Sequence, residues 1–98
     1  MDVKIHAIHF HADEKLQDFI REKLIRITEF FDRITGTEVY LKLESNSSVR
    51  DKIAEIKVIM PGKVLFSEER SKMFEESFDM AFDSILRQVK KHKERMRE

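Results

Sequence analysis

The sequence predicts one α+β domain, in which two helices cover one face of a four-stranded sheet in the order β-α-β-β-β-α. First, apolar and polar residues alternate at period two in the first ten residues and again between residues 38 and 68. Second, an apolar stripe with helical spacing follows each of these strand regions. Third, 98 residues with two glycines, one proline and no linker-like stretch leave room for a single domain, residues 1–98.

The first strand and the first helix occupy the amino-terminal third of the chain. Residues 3–10 alternate apolar and polar side chains and include β-branched residues, which is typical of a strand. Asp13 is a favourable N-cap, and Gly36 is expected to end the helix that follows it. The apolar residues between them recur at helical spacing: Leu16, Phe19, Ile20, Leu24, Ile27, Phe30, Phe31 and Ile34.

Three further strands and a second helix complete the predicted fold. Alternating runs cover residues 38–44 and 54–60, and the polar residues 45–48 and the Pro61-Gly62 pair supply the turns of an antiparallel meander that continues to Glu68. We expect the whole sheet to be antiparallel. Ser71 can cap the last helix. Its apolar stripe comprises Phe74, Phe78, Ala81, Phe82, Ile85, Val89 and Met96.

Composition restricts the class of protein. The chain has no cysteine, which excludes disulfides and thiolate chemistry, and it has no apolar run near the roughly 18 residues that cross a bilayer. Its start also lacks the pattern of a signal peptide. We therefore expect a soluble cytoplasmic protein with no membrane partner. The charged residues make up 39% of the chain, but 19 basic side chains balance 19 acidic ones, which argues against a protein that coats itself on phosphates uniformly.

No pattern in the chain predicts an enzyme. His6 would point away from His9 and His11 in a strand, so the three should not share a metal ion, and the neighbouring Glu68 and Glu69 should face opposite sides of their strand. With only Gly36 and Gly62, a glycine-rich phosphate loop is also excluded. We expect no catalytic residue, no metal, no cofactor and no small-molecule substrate.

The carboxyl-terminal segment concentrates the positive charge. Residues 87–98 contain six basic and two acidic side chains, so this segment carries +4 and the rest of the chain −4. Cations at a helix C-terminus can simply complement the helix dipole, but that accounts for one or two of them. Phosphate binding better explains six. The basic residues are Arg87, Lys90, Lys91, Lys93, Arg95 and Arg97.

Lys23 interrupts the apolar stripe of the first helix. Its stem could pack while its ammonium group reaches water at the helix edge, the arrangement known as snorkelling. Alternatively, it could lie in a groove between the two helices, where Arg26 and Arg33 on one flank would extend a basic strip. The sequence alone leaves both alternatives open.

The chain resembles the ribosome hibernation-promoting factors, also called the ribosome-associated inhibitor A or protein Y family, along nearly its whole length. Four stretches carry the resemblance. They are His9-Phe10 after the first strand, Phe19-Ile20 through Lys23-Leu24 leading to Phe31-Asp32-Arg33-Ile34, the Pro61-Gly62 turn, and the terminal run Arg87-Gln88-Val89-Lys90-Lys91-His92-Lys93.

This resemblance implies a fold related to double-stranded-RNA-binding domains and a function in translation. Family members bind the small ribosomal subunit in the channel for messenger RNA and transfer RNA, inhibit translation and preserve idle ribosomes. By position, the residues expected to face ribosomal RNA are Lys23, Arg87, Lys90, Lys91 and Lys93, with Arg26 and Arg33 as additions.

The chain departs from the family pattern in two respects. An acidic-Met-aromatic start is common for the last helix, whereas this chain has Lys72-Met73-Phe74 there, with Glu75 nearest the position of the aromatic, so a contact by that aromatic is not expected. The length of 98 residues also matches the short form of the family, which lacks the domain through which long forms pair ribosomes. We expect the free protein to be a monomer.

Two other functions remain open at this point. A generic double-stranded-RNA-binding module would carry its cations at the N-terminal end of its final helix, which the present sequence does not. A protein–protein adaptor or homodimer would instead use apolar residues on the open face of the sheet. The candidates for that face are Tyr40, Ile53, Ile59 and either Phe66 or Leu65.

Overall fold

The computed structural model describes residues 2–46 and 49–96, which form four strands and three helices. Arg97, and Ser47 and Ser48 of the predicted turn, lie outside the described residues. Among the described helices, none is long and apolar enough to cross a membrane. The elements are β1 (Asp2–Ala7), α1 (Glu14–Ile25), α2 (Ile27–Phe30), β2 (Gly36–Asn46), β3 (Val49–Met60), β4 (Lys63–Ser71) and α3 (Phe74–Met96).

The four strands form one mixed sheet in the order β1-β2-β3-β4. The predicted antiparallel meander of β2, β3 and β4 is confirmed, and its register places Ile56 opposite Val39 and Ser67. The prediction of a wholly antiparallel sheet is wrong, because β1 runs parallel to β2, with Ile5 opposite Val39. A parallel neighbour requires a crossover connection, and α1 with α2 supplies it. The α+β class and the predicted element order are confirmed.

The first helix ends earlier than Gly36. Its predicted N-cap is confirmed, since an Asp13 carboxylate oxygen accepts a hydrogen bond from the Leu16 N–H at 2.8 Å. α1 ends at Ile25, and α2 adds one turn before Phe31 becomes extended, with a φ of −154°. Phe31 and Ile34 remain buried although they are not helical. Their spacing therefore indicated burial correctly but the helix length wrongly, and Gly36 begins β2.

The core lies between the sheet and the helical layer. Phe78 is fully buried on α3 and stacks on Phe82 with ring centroids 5.8 Å apart. Phe74 at the start of α3 is also buried and stacks on Phe10. Ser71 belongs to β4, but its hydroxyl accepts a hydrogen bond from the Met73 N–H just before the helix.

The open face of the sheet is mostly charged. Of the two alternatives Phe66 and Leu65, Phe66 lies on this face and Leu65 is buried towards the helices. Ile53 is buried although it lies on the open side. Phe66 is half exposed, at 50%, and is the largest apolar side chain left on this face. Val64, which is 54% exposed, lies two residues before Phe66 on the same side of β4, so the face exposes an apolar pair among its charged side chains.

Candidate nucleic-acid interface

The basic end of α3 divides its side chains between two flanks of the helix. On the flank towards α1 and α2, Lys93 donates a hydrogen bond to the Phe30 carbonyl oxygen at 2.8 Å, and the Lys90 ammonium lies 5.7 Å from the Phe30 ring centroid. On the flank towards β4, Lys91 lines a shallow groove. Arg87 is exposed between the two flanks. The helix thus presents cations to both sides.

The flank towards α1 and α2 contains a second shallow groove, here called the Phe30 groove. It is lined by an aromatic ring, cations and carboxylates, and Arg33 is one of the exposed cations. Phe31 below it is buried and meets the His92 ring edge-on, with centroids 5.8 Å apart. The lining residues are Thr28, Glu29, Phe30, Phe31, Asp32, Arg33, Lys93 and Met96.

Lys23 lies between the two long helices, as one of its two interpretations required. Its ammonium forms an ion pair with Asp79 of α3 and lies 5.1 Å from the Phe19 ring centroid and 5.8 Å from that of Phe82. The Lys23 side chain keeps 31% of its surface exposed. The position is therefore a groove between helices, but the charge already has a carboxylate partner within the protein.

Arg26 and Arg33 do not form one continuous strip with Lys23. Arg26 is exposed at the C-cap of α1, where its N–H bonds to the Lys23 carbonyl oxygen at 3.2 Å. The early end of α1 places Arg33 beyond the helix, beside Phe30 rather than along the same helical flank. The expectation that seven residues of helix would align the two arginines is wrong, although both side chains are exposed.

The flank towards β4 adds basic residues that the predicted site lacked. Lys63, at the start of β4, lines the same shallow groove as Lys91, His92 and Arg95. Arg95 was visible in the sequence as part of the basic run, but Lys63 carries no local signal. Only the packing of α3 along β4 brings Lys63 to the helix end.

The opposite end of the helical layer is acidic. Exposed carboxylates occupy the first turn of α3 at Glu75 and Glu76, where they complement the positive end of the helix dipole. Glu14, Asp18 and Glu22 add an acidic face on α1. The two ends of the helical layer therefore differ in sign, and the basic end is the part suited to phosphate.

Two acidic side chains meet on the open face of the sheet. Glu68 lies opposite Glu55 in the β3–β4 register, and a hydrogen bond to the Glu55 carboxyl group raises the pKa of Glu68 above its ordinary value. Glu55 also accepts a hydrogen bond from the Lys42 ammonium at 2.6 Å, and this bond raises the pKa of Lys42. Glu55, Glu68 and Lys42 therefore form a small polar network on the open face of the sheet, separate from the basic end of α3.

The histidines near the amino terminus have separate environments. The His6 ring stacks on Tyr40 with centroids 4.8 Å apart. β1 ends at Ala7 and His9 has a positive φ of 63°, so the argument from strand alternation does not apply to His9 and His11. Within residues 2–46 and 49–96, no group of three or more histidine and acidic side chains is arranged to hold a metal ion.

Solved structures with the same fold define the class of this protein. A ribosomal subunit interface protein from Coxiella burnetii superposes with a TM-score of 0.82 at 20% identity, covering 95% of this chain and 98% of that one. The N-terminal domain of Thermus thermophilus Protein Y gives 0.81 at 26% identity, covering 94% and 99%. The mixed sheet with its helical layer is therefore the α+β fold of these two proteins.

The sequence comparisons identify the family. The family described as Sigma 54 modulation protein / S30EA ribosomal protein matches residues 3–97, and the chain belongs to it. A ribosome hibernation promoting factor from Pseudomonas putida is 34% identical over 95 residues, covering 97% of this chain and 89% of the relative. The Escherichia coli K12 protein of the same name is 26% identical over 98 residues, covering 100% and 99%.

Proposed function

We propose that this protein is a ribosome hibernation factor that binds the small ribosomal subunit in the channel for messenger RNA and transfer RNA and thereby inhibits translation. Membership of the family and the names of the relatives support a role in ribosome hibernation. The observation that carries the choice of binding surface is the basic end of α3, where cations flank both sides of one exposed helix. The protein acts as a single cytoplasmic domain, a monomer when free, and performs no chemistry.

Binding to ribosomal RNA follows from the arrangement of the charges. Arg87, Lys90 and Lys91 are exposed, and Lys93 is anchored by its bond to the Phe30 carbonyl oxygen. Together they cover the outward side and both flanks of the helix, so phosphates from two RNA segments can bind at once. Each phosphate contact releases counterions, which makes the affinity depend on salt. Occupation of the channel excludes its normal ligands without any reaction.

The remaining predicted site residues have smaller roles in this proposal. Arg33 lines the Phe30 groove beside Lys93 and adds to the surface near Lys90, and Arg26 is exposed at the C-cap of α1. Lys23 forms an ion pair with Asp79, so its contribution to phosphate binding is weaker than that of an unpaired lysine. The acidic start of α3 disfavours a generic duplex-RNA module, because that class uses a basic helix N-terminus.

The experiment measures the sedimentation of the protein with purified small subunits and its effect on initiator-tRNA binding. We expect co-sedimentation that weakens as salt rises, and loss of initiator-tRNA binding at saturating protein. Duplex RNA of matched concentration is the control and should bind more weakly. If saturating protein leaves tRNA binding unchanged, occlusion of the channel is wrong. Tighter binding to duplex RNA than to subunits would favour the generic module.

A further inference from the structure

We infer that the Phe30 groove binds the base of an unpaired RNA nucleotide, with the Phe30 ring as the stacking surface. The inference rests on the proposed function and adds to it a contact with a nucleobase. Phe30 is 42% exposed, although it belongs to the aromatic-rich segment that otherwise packs in the core. An aromatic ring beside cations is the combination that single-stranded nucleic acids use, because every base has a face that can stack.

The backbone that carries the Phe30 ring is held in place by its surroundings. Lys93 bonds the Phe30 carbonyl oxygen at 2.8 Å, which fixes the end of α2 against α3. The next residue, Phe31, is buried and packs against His92, so the backbone on that side is anchored as well. Because the backbone at Phe30 is already fixed, stacking of a base has to order only the Phe30 side chain.

The charges around the ring match a nucleotide better than a bare phosphate. Arg33 and Lys93 line the groove, and the Lys90 ammonium lies over one face of the ring, 5.7 Å from its centroid, so a base would stack on the other face. Two carboxylates, Glu29 and Asp32, also line it, and they would oppose a site for phosphate alone. Carboxylates accept hydrogen bonds from the amino group of cytosine, so a groove with both signs suits a base with its attached phosphate.

The first test uses Phe30→Trp, because the chain contains no tryptophan and this variant has a single fluorescent reporter at the site. A short single-stranded oligocytidylate should quench the tryptophan, whereas inorganic polyphosphate of similar total charge should not. The control is Phe66→Trp, at a position 50% exposed on the open sheet face, which should respond to neither. Equal responses to both ligands, or no response to the oligonucleotide, would overturn the stacking inference.

The second test measures the dissociation constant for small subunits. Phe30→Leu should weaken binding about 5- to 150-fold, the range expected for one lost stacking contact, while Phe30→Tyr should bind as the unmodified protein does. Phe66→Leu should have no effect, and melting temperatures establish that each variant is folded. If the unmodified protein binds subunits and Phe30→Leu binds equally well, the stacking inference is wrong and the proposed function stands. If the unmodified protein does not bind subunits, the proposed function is wrong and the oligocytidylate titration alone decides the base site.

Discussion

The two halves of α3 have different tasks. The amino-terminal half, residues 74–85, contributes six buried side chains, of which five are apolar, whereas the carboxyl-terminal half, residues 86–96, contributes one buried side chain, Val89, and the partly buried Leu86. The first half also begins with Glu75 and Glu76, and the second ends with Lys93 and Arg95 in its last turn. One continuous helix therefore stabilises the fold at one end and exposes charge at the other.

This division shows how a small domain can keep a binding surface without weakening its core. Apolar area removed from water contributes roughly 25 cal/mol per Å², so the buried half carries most of the stability of α3. Exposed lysines and arginines contribute little to folding. Substitutions in the two halves should consequently change different measurements.

The largest expected effect is on stability, from Phe78→Ala. Phe78 is fully buried between the sheet and α1, where it also meets Phe19 edge-on. Removal of the ring should lower the free energy of unfolding by about 3–5 kcal/mol, measured by denaturant titration. Subunit affinity of the fraction that remains folded should be unchanged. A change below about 1 kcal/mol would contradict the assignment of this half to the core.

The double substitution Lys90→Ala with Lys91→Ala should change subunit binding and leave stability nearly unchanged. Both side chains are exposed, so stability should change by less than about 0.5 kcal/mol per site. The slope of log affinity for small subunits against log salt is negative, and its magnitude should decrease by about 1.4–1.8, since two phosphate contacts are lost. Glu76→Gln, an exposed change in the other half, is the matched control and should preserve that slope. An unchanged slope in the double variant would remove these lysines from the interface.

The smallest effect on subunit binding is expected at Lys23, which contacts Asp79 and Phe82 in the amino-terminal half of α3. Lys23→Met removes an ion pair with Asp79 and contacts with two rings, which should cost about 0.5–1 kcal/mol of stability. Because Asp79 already pairs with the ammonium, the slope of log affinity against log salt should become less steep by less than one full phosphate contact would cause. Asp79→Asn should bind subunits slightly more tightly. Equal salt slopes for Lys23→Met and the unmodified protein would exclude Lys23 from the interface.

Much of this fold could be predicted because burial leaves a periodic signal in the sequence. The meander and α3 followed from alternation and from 3.6-residue spacing, and both are confirmed. The direction of β1 could not be predicted, since the pattern of a strand does not reveal whether its neighbour runs parallel. Phe31 and Ile34 kept helical spacing in an extended segment, because core packing overrode local propensity there.

The site was less accessible to sequence reasoning than the fold. The residues of the basic run could be placed on a helix, but the flank that each one occupies depends on what packs beside that helix. Asp79 is 56 residues from Lys23, and Lys63 approaches Lys91 only through the packing of α3 on β4. These contacts are set by tertiary structure and have no local pattern.

The separation of charge along α3 also determines how the electrostatic attraction between RNA and the protein depends on salt. The formal net charge is zero, yet the 23 residues of α3 span about 34 Å at 1.5 Å per residue. The screening length is about 8 Å at physiological ionic strength, so RNA near the basic end is shielded from the acidic end. Near 0.01 M salt the screening length reaches about 30 Å, and the acidic end then opposes the attraction. Lower salt should therefore strengthen binding only until the screening length approaches the length of this helix.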